Sequence, residues 1–154
     1  MLSRLLATQS SALSTQYFTN MPLQLDIVTP QAPVFSEIVD TVTLATANGE
    51  VGLLPGHAAM VSALGAGILS YTRGGETQRL VISGGFVEIN HDRVSVLAEV
   101  AEKAADIDAE RARLELQEAQ AELTALTNGS PDAFDAAKAK LDRAQARLQL
   151  TSGK

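Results

Sequence analysis

The chain has no cysteine and no tryptophan among its 154 residues, and aromatic side chains make up only 4% of it. Without cysteine there can be no disulfide framework, no thiolate metal site and no thiol nucleophile, which fits a reducing compartment. With no tryptophan and four Phe, a core must be built from Val, Ile, Leu and Ala. Histidine is scarce too: His57 and His91 are the only two, and neither has a carboxylate or second histidine at metal-ligand spacing, so spacing gives no metal centre and no acid–base pair. Basic residues are outnumbered, 12 Lys and Arg against 18 Asp and Glu, for a net charge of −6. That balance argues against a nucleic-acid partner, which needs a basic face. No apolar run approaches the ~20 residues of a membrane-spanning helix.

The familiar site motifs are missing as well. Gly65, Ala66 and Gly67 look like a fragment of a nucleotide loop, but no GxxxxGK[ST] or GxGxxG surrounds them. Ser83, Gly84 and Gly85 lack the frame of a nucleophile elbow. No nucleophile, base and oxyanion set can be assembled, so the residues describe a binding or structural subunit, not an enzyme.

What is present is an apolar fraction of 45%, enough for a core, in a chain with room for one ordinary domain or for one small domain plus an appendage. Residues 1–20 carry one charge, Arg4, with many Ser and Thr among scattered leucines. This segment reads either as a disordered leader or mis-start ahead of Met21, or as a transit peptide, which would be Ser-rich and acid-poor in the same way. From Leu23 apolar and polar residues alternate, the period of a half-buried strand, and β-branched stretches recur to about Val100 with turn residues between them. The segment Asn48 to Ser70 is a tightly bent run of five glycines and one proline holding His57 in a turn. Ile68–Arg73 and Gln78–Ser83 flank a Gly74, Gly75 turn and predict a hairpin, and Gly84 and Gly85 are expected to break the chain before Phe86. Roughly eight to ten short strands of this kind predict a β-sandwich or flattened barrel over residues 21–104.

From Ala101 helix formers replace Val, Gly and Thr. Asp106 or Asp108 can cap a first helix, and Ala105, Ala109, Ala112, Leu116, Ala119, Leu123 and Leu126 line up one seam. Asn128, Gly129, Ser130 and Pro131 end it and start another helix, whose seam is Phe134, Ala137, Leu141, Ala144 and Leu148. The expectation is an antiparallel two-helix hairpin over 105–154, α+β overall, whose alanine-rich seam fixes it only marginally. Glu115, Glu118 and Glu122 on one helix, with Lys140, Arg143 and Arg147 on the other, read as solvated stripes with weak interhelical ion pairs.

Three stretches in order, NGEVGLLPGHAAMVSAL, VISGGFVEINHDRVSVLAE and IDAERA opening the hairpin, make the chain resemble the epsilon subunit of the bacterial F-type ATP synthase, called delta in mitochondria. The resemblance runs from Leu23 to about Leu150 and implies an N-terminal sandwich of about ten strands followed by a two-helix domain. It implies a non-catalytic rotor subunit that packs on the gamma subunit and rests on the c-subunit ring. The ring contacts would be Glu50 and His57. The hairpin would fold on the sandwich or extend along gamma toward the beta subunits to inhibit ATP hydrolysis, offering Arg111, Arg113, Lys138, Lys140, Arg143 and Arg147. Some members bind regulatory ATP at the folded hairpin, and the matching residues are Glu102, Ile107, Asp108, Arg111 and Ala112. Those members also carry a basic residue just after the phenylalanine of the second helix, where this chain has Asp135 and Ala136. The location implied is the cytoplasmic face of a bacterial plasma membrane, peripheral and held through the ring, or an organelle inner membrane if residues 1–20 are a transit peptide. From the residues alone, a free-standing sandwich that holds a small ligand in its glycine-rich loops is the competing class.

Overall fold

The structure, a computed structural model, describes residues 22–153, so the expected leader lies outside the described residues. Eight strands form one continuous sheet that folds over on itself. They are β1 (Leu23–Val28), β2 (Pro33–Val39), β3 (Thr41–Thr46), β4 (Gly49–Leu53), β5 (Met60–Ala63), β6 (Gly67–Arg73), β7 (Glu76–Asn90) and β8 (Arg93–Lys103). The order is β2-β1-β8-β7-β6-β3-β4, with β5 also on β7, and only β1 and β8 pair in parallel. The sheet nearly closes where β2 meets β6: the Phe35 and Tyr71 rings lie 4.6 Å apart, and Asp40 N, just past the end of β2, donates to Thr72 O of β6 at 2.7 Å. Alternate residues of every layer point inward, and Leu23, Leu25, Ile27, Val42, Leu44, Leu53, Leu69, Val87 and Val96 are fully buried there. This is the aliphatic core that the scarcity of aromatics requires.

Among the described residues the strands number eight where about ten are expected, and one of the missing divisions is the expected break at Gly84 and Gly85, which is not a break. β7 runs through both glycines, which sit at φ +70° and +89°. What changes there is the pleat. Leu80 and Ile82 face the core before the pair and Val87 and Ile89 after it, so the inward parity switches from even to odd residues. The partner strand switches at the same level, from Ala101 to Ala98, while the pairing register of β7 and β8 stays constant. Two adjacent residues with positive φ let the β7–β8 ribbon turn from one layer of the sandwich into the other, which non-glycine residues rarely permit.

The composition change at Ala101 does not mark the strand's end. Ala101, Glu102 and Lys103 are helix formers by propensity, but they remain in β8 opposite Ile82, Val81 and Leu80, because pairing and burial override a weak intrinsic preference. A 3-10 turn at Ala104–Asp106 follows.

Helix α1 (Ala109–Ala125) starts at Asp108, whose carboxylate accepts from Glu110 N at 3.0 Å and Arg111 N at 3.2 Å. Helix α2 (Pro131–Ser152) starts at Ser130, whose hydroxyl accepts from Ala133 N, with Pro131 in the first turn where a missing N–H costs nothing. The two helices pack as a hairpin through a seam whose fully buried members are Ala112, Ala119, Ala137 and Ala144. Phe134, expected on that seam, is instead 47% exposed. The hairpin lies folded on the sandwich, and α2 makes the contact: Ala146 and Leu150, with Ile107 and Ala112, cover Val81 on the outer face of β7. Leu80, Val81 and Ile82 are therefore buried in succession, the middle one by the hairpin and its neighbours by the sandwich.

Candidate functional site

The turn that carries His57 is closed by hydrogen bonds from its backbone N–H groups. His57 N donates to Leu54 O at 3.1 Å, and Gly56 N donates to the Asp92 carboxylate at 2.7 Å. Asp92 also accepts from Gln24 N through its carbonyl at 2.8 Å, so the β7–β8 turn ties β1 to the Pro55–His57 turn. That turn holds the two non-glycine residues with positive φ among the described residues, His91 at 49° and Asp92 at 60°. His57 is half-buried with Nδ1 2.7 Å from Ala58 O. Glu50 is exposed on β4 opposite Ala45, and lines a cleft with Arg79 of β7 and Gln145 and Gln149 of α2. Glu50, at the start of β4, therefore borders the hairpin side of the sandwich, while His57, beyond the end of β4, sits at the β7–β8 turn.

The outer face of the other half of the sheet carries a feature the sequence reading passed over. Ala63, Phe86, Leu97 and Val28 stand in register across β5, β7, β8 and β1. Phe86 is 58% exposed and Leu97 57%, with Val28 beside them and Val61 two residues along β5 at 69%. A contiguous exposed apolar row of this kind marks a surface that something else covers. The alternation was legible, and the signal that could have found the row is that Phe86 and Leu97 fall on the solvent phase of their strands. Next to it, Asp26 accepts from Ser36 Oγ at 2.6 Å and from Arg93 Nε at 2.9 Å. The Ser36 hydroxyl, more than the opposing effect of burial, holds the Asp26 carboxyl below its ordinary value.

The residues of the IDAERA stretch divide by role. Ile107 and Ala112 are buried between the hairpin and the sandwich, and Asp108 is the helix cap. Arg111 is exposed and reaches Glu115 at 3.1 Å along the helix. Glu115 is also bound by Arg147 Nη1 from α2, and Arg147 Nε lies 3.1 Å from Glu102 on β8. The sequence reading placed Arg147 in a solvated stripe, but only 6% of it is exposed. Its Nε and Glu102 Oε2 approach off axis, so neither completes a hydrogen bond. Burial alone would raise the Glu115 carboxyl, but the hydrogen bond and charge of Arg147, and then of Arg111, hold it below its ordinary value. Three further basic residues pair within the hairpin: Arg113 with Glu110 at 2.6 Å, Lys138 with Asp142 at 2.6 Å and Lys140 with Glu122 at 2.9 Å. Arg143 lies in the groove between the helices with a buried Nε that has no hydrogen-bond partner.

Among the described residues, no helix is long and apolar enough to cross a membrane. The family model for the ATP synthase delta/epsilon chain beta-sandwich domain matches residues 22–104, and that for the long alpha-helix domain of the same chain matches 105–152. An ATP synthase epsilon chain of Geobacter sp. (strain M21) is 42% identical over 83% of this chain and 92% of its own length. One of Desulforamulus reducens is 47% identical over 65% of this chain and 76% of its own. Among solved structures, a chain in a cryo-EM structure of Euglena gracilis mitochondrial ATP synthase, OSCP/F1/c-ring in rotational state 1, is 27% identical. It aligns with a TM-score of 0.69 over 84% of this chain and 80% of its own. A chain from the central stalk and c-ring of Tetrahymena thermophila mitochondrial ATP synthase, 14% identical with a TM-score of 0.57 over 84% and 96%, shares the fold. The chain belongs to the ATP synthase delta/epsilon family.

Proposed function

We propose that this chain is the epsilon-type subunit of the central stalk of an F-type ATP synthase, a non-catalytic part of the rotor. In this reading the sandwich, residues 21–104, seats on gamma and on the c-subunit ring, and the hairpin, 105–154, is a movable brake on ATP hydrolysis. The observation that carries the reading is the exposed row Ala63, Phe86, Leu97 and Val28, an apolar strip on an otherwise acidic protein that gamma would cover. The Asp92-braced turn would offer His57 to the ring at one end, and Glu50 would add a second ring contact. The chain would sit peripherally at the membrane, held through the ring. Its face of the membrane would be the cytoplasmic one in a bacterium.

The hairpin reading rests on how little fixes it. Of the two helices α2 makes most of the contact with the sandwich, through a small cluster around Val81 to which Ala112 of α1 adds a methyl group, and through Arg147 beside Glu102. Extension would free Arg111, Arg113, Lys138, Lys140 and Arg143 to meet acidic segments of the beta subunits, and would expose Arg147. Regulatory ATP at Glu102, Ile107, Asp108, Arg111 and Ala112 would have to compete with Glu115, which already pairs with the arginines a phosphate would use. Deleting residues after Ala105 is the test. The sandwich keeps its own core, whose buried members all lie between Leu23 and Ala98, so assembly should persist. ATP hydrolysis by the assembled enzyme should rise by about fivefold or more, the usual scale of an allosteric coupling. Unchanged hydrolysis in a fully assembled enzyme would remove the braking role.

A further inference from the structure

We infer that Glu102, Arg147 and Glu115 form an internal ionic latch that holds the hairpin on the sandwich, with Arg111 supporting Glu115 from outside. The inference rests on the proposal that the hairpin can leave the sandwich, and adds which groups decide when it does. The three residues come from three elements: Glu102 from the end of β8, Glu115 from the second turn of α1 and Arg147 from the last third of α2. The Arg147 side chain is 8% exposed, whereas those of Glu102 and Glu115 are 21% and 34% exposed. A guanidinium cannot shed its charge in a protein, so in the docked state it must be neutralised by these two carboxylates. Each carboxylate, in contrast, keeps an edge in water. The apolar part of the docking surface is small, with Ala112 and Ala146 contributing only methyl groups, so it does not settle the position by itself.

The asymmetry of burial gives the latch a distinctive response. Neutralising the carboxylates strands a buried cation and should drive the hairpin off, because removing one side of a buried pair is far more damaging than the pair's net contribution when intact. Removing the cation leaves two carboxylates whose side chains keep partial solvent contact, although the Glu102 Oε2 that faces Arg147 is itself buried, and should do less. Removing both the charge and its partners should restore docking, which ordinary loss of packing would not. The off-axis approach of Arg147 Nε to Glu102 fits a contact made to be broken, since neither group completes its hydrogen bonds in the closed state.

The absence of cysteine makes the test clean. Ala146→Cys places one thiol at the docking surface, where the native residue is 5% exposed, and its rate of alkylation by a maleimide reports the fraction of time the hairpin is lifted. In the full-length chain, adding E102Q and E115Q should speed alkylation about a hundredfold, and adding R147M to that pair should return it to within about threefold of the parent. Thermal unfolding of the sandwich monitored in the same samples should stay unchanged, separating release from unfolding. If the parent is alkylated at a measurable rate and the two glutamine substitutions leave it unchanged, the latch is overturned while the mobile hairpin survives. If no variant is alkylated short of global unfolding, both are overturned.

Discussion

Replacing Gly85 with alanine is expected to cost the sandwich about 4 kcal/mol or more, a large part of the stability a domain of this size has. A Cβ at Gly85 would lie 1.8 Å from Leu97 O and 2.9 Å from its carbonyl carbon, both backbone atoms of the paired strand that cannot rotate away. The residue also sits at φ +89°, where an L side chain is strained whatever the space. The site is the level at which β7 and β8 cross between layers, so relieving the clash means moving the strand pair that joins the two halves of the core. Gly56→Ala is the matched comparison. It too has positive φ, +80°, but no atom lies within 4 Å of its would-be Cβ, so only the conformational term of about 1 kcal/mol applies. Urea denaturation of the two variants should separate them by several kcal/mol. A Gly85→Ala protein within about 1 kcal/mol of the parent would mean the strands do not cross where described.

The second large effect is on binding, not folding. Phe86→Asp together with Leu97→Asp places two charges in the middle of the exposed apolar row, opposite each other on β7 and β8. Both side chains are more than half exposed, so the fold should be little affected. Affinity for gamma should fall at least about a hundredfold, near 2.7 kcal/mol, because central apolar contacts dominate interfaces and a desolvated carboxylate is penalised heavily there. Titration of purified gamma, with thermal unfolding as the control for folding, checks this. Unaltered affinity would place gamma on another face.

How much of this was legible before the fold was seen depended on the kind of residue. Strict alternation such as Leu23, Leu25 and Ile27 reports one buried face, and those residues are core. Helix caps are local chemistry, so Ser130 and Pro131 were readable, and Asp108 was one of two candidates. Three features depended on long-range contact and were not. Ala101 to Lys103 look helical, and only the pairing with Leu80 to Ile82 makes them strand. Gly84 and Gly85 look like a stop, and only the parity of their neighbours reveals a layer change within one strand. Arg147 follows the charged-stripe spacing of Lys140 and Arg143, and nothing in that spacing says that two carboxylates from other elements bury it. For the candidate site, the chemistry of each residue type was available from the sequence, but the division of Ile107, Asp108 and Ala112 into packing and capping roles needed the docked hairpin.

The central claim is that the sandwich is held between gamma and the c-subunit ring. Because the chain has no cysteine, a single introduced thiol can be assigned without ambiguity. The direct measurement is short-range cross-linking within the assembled enzyme from two such variants, Phe86→Cys and His57→Cys, with the adducts identified by mass. Position 86 is expected to join gamma and position 57 to join a c subunit. Both thiols reacting in the assembled enzyme with neither subunit captured would contradict the claim.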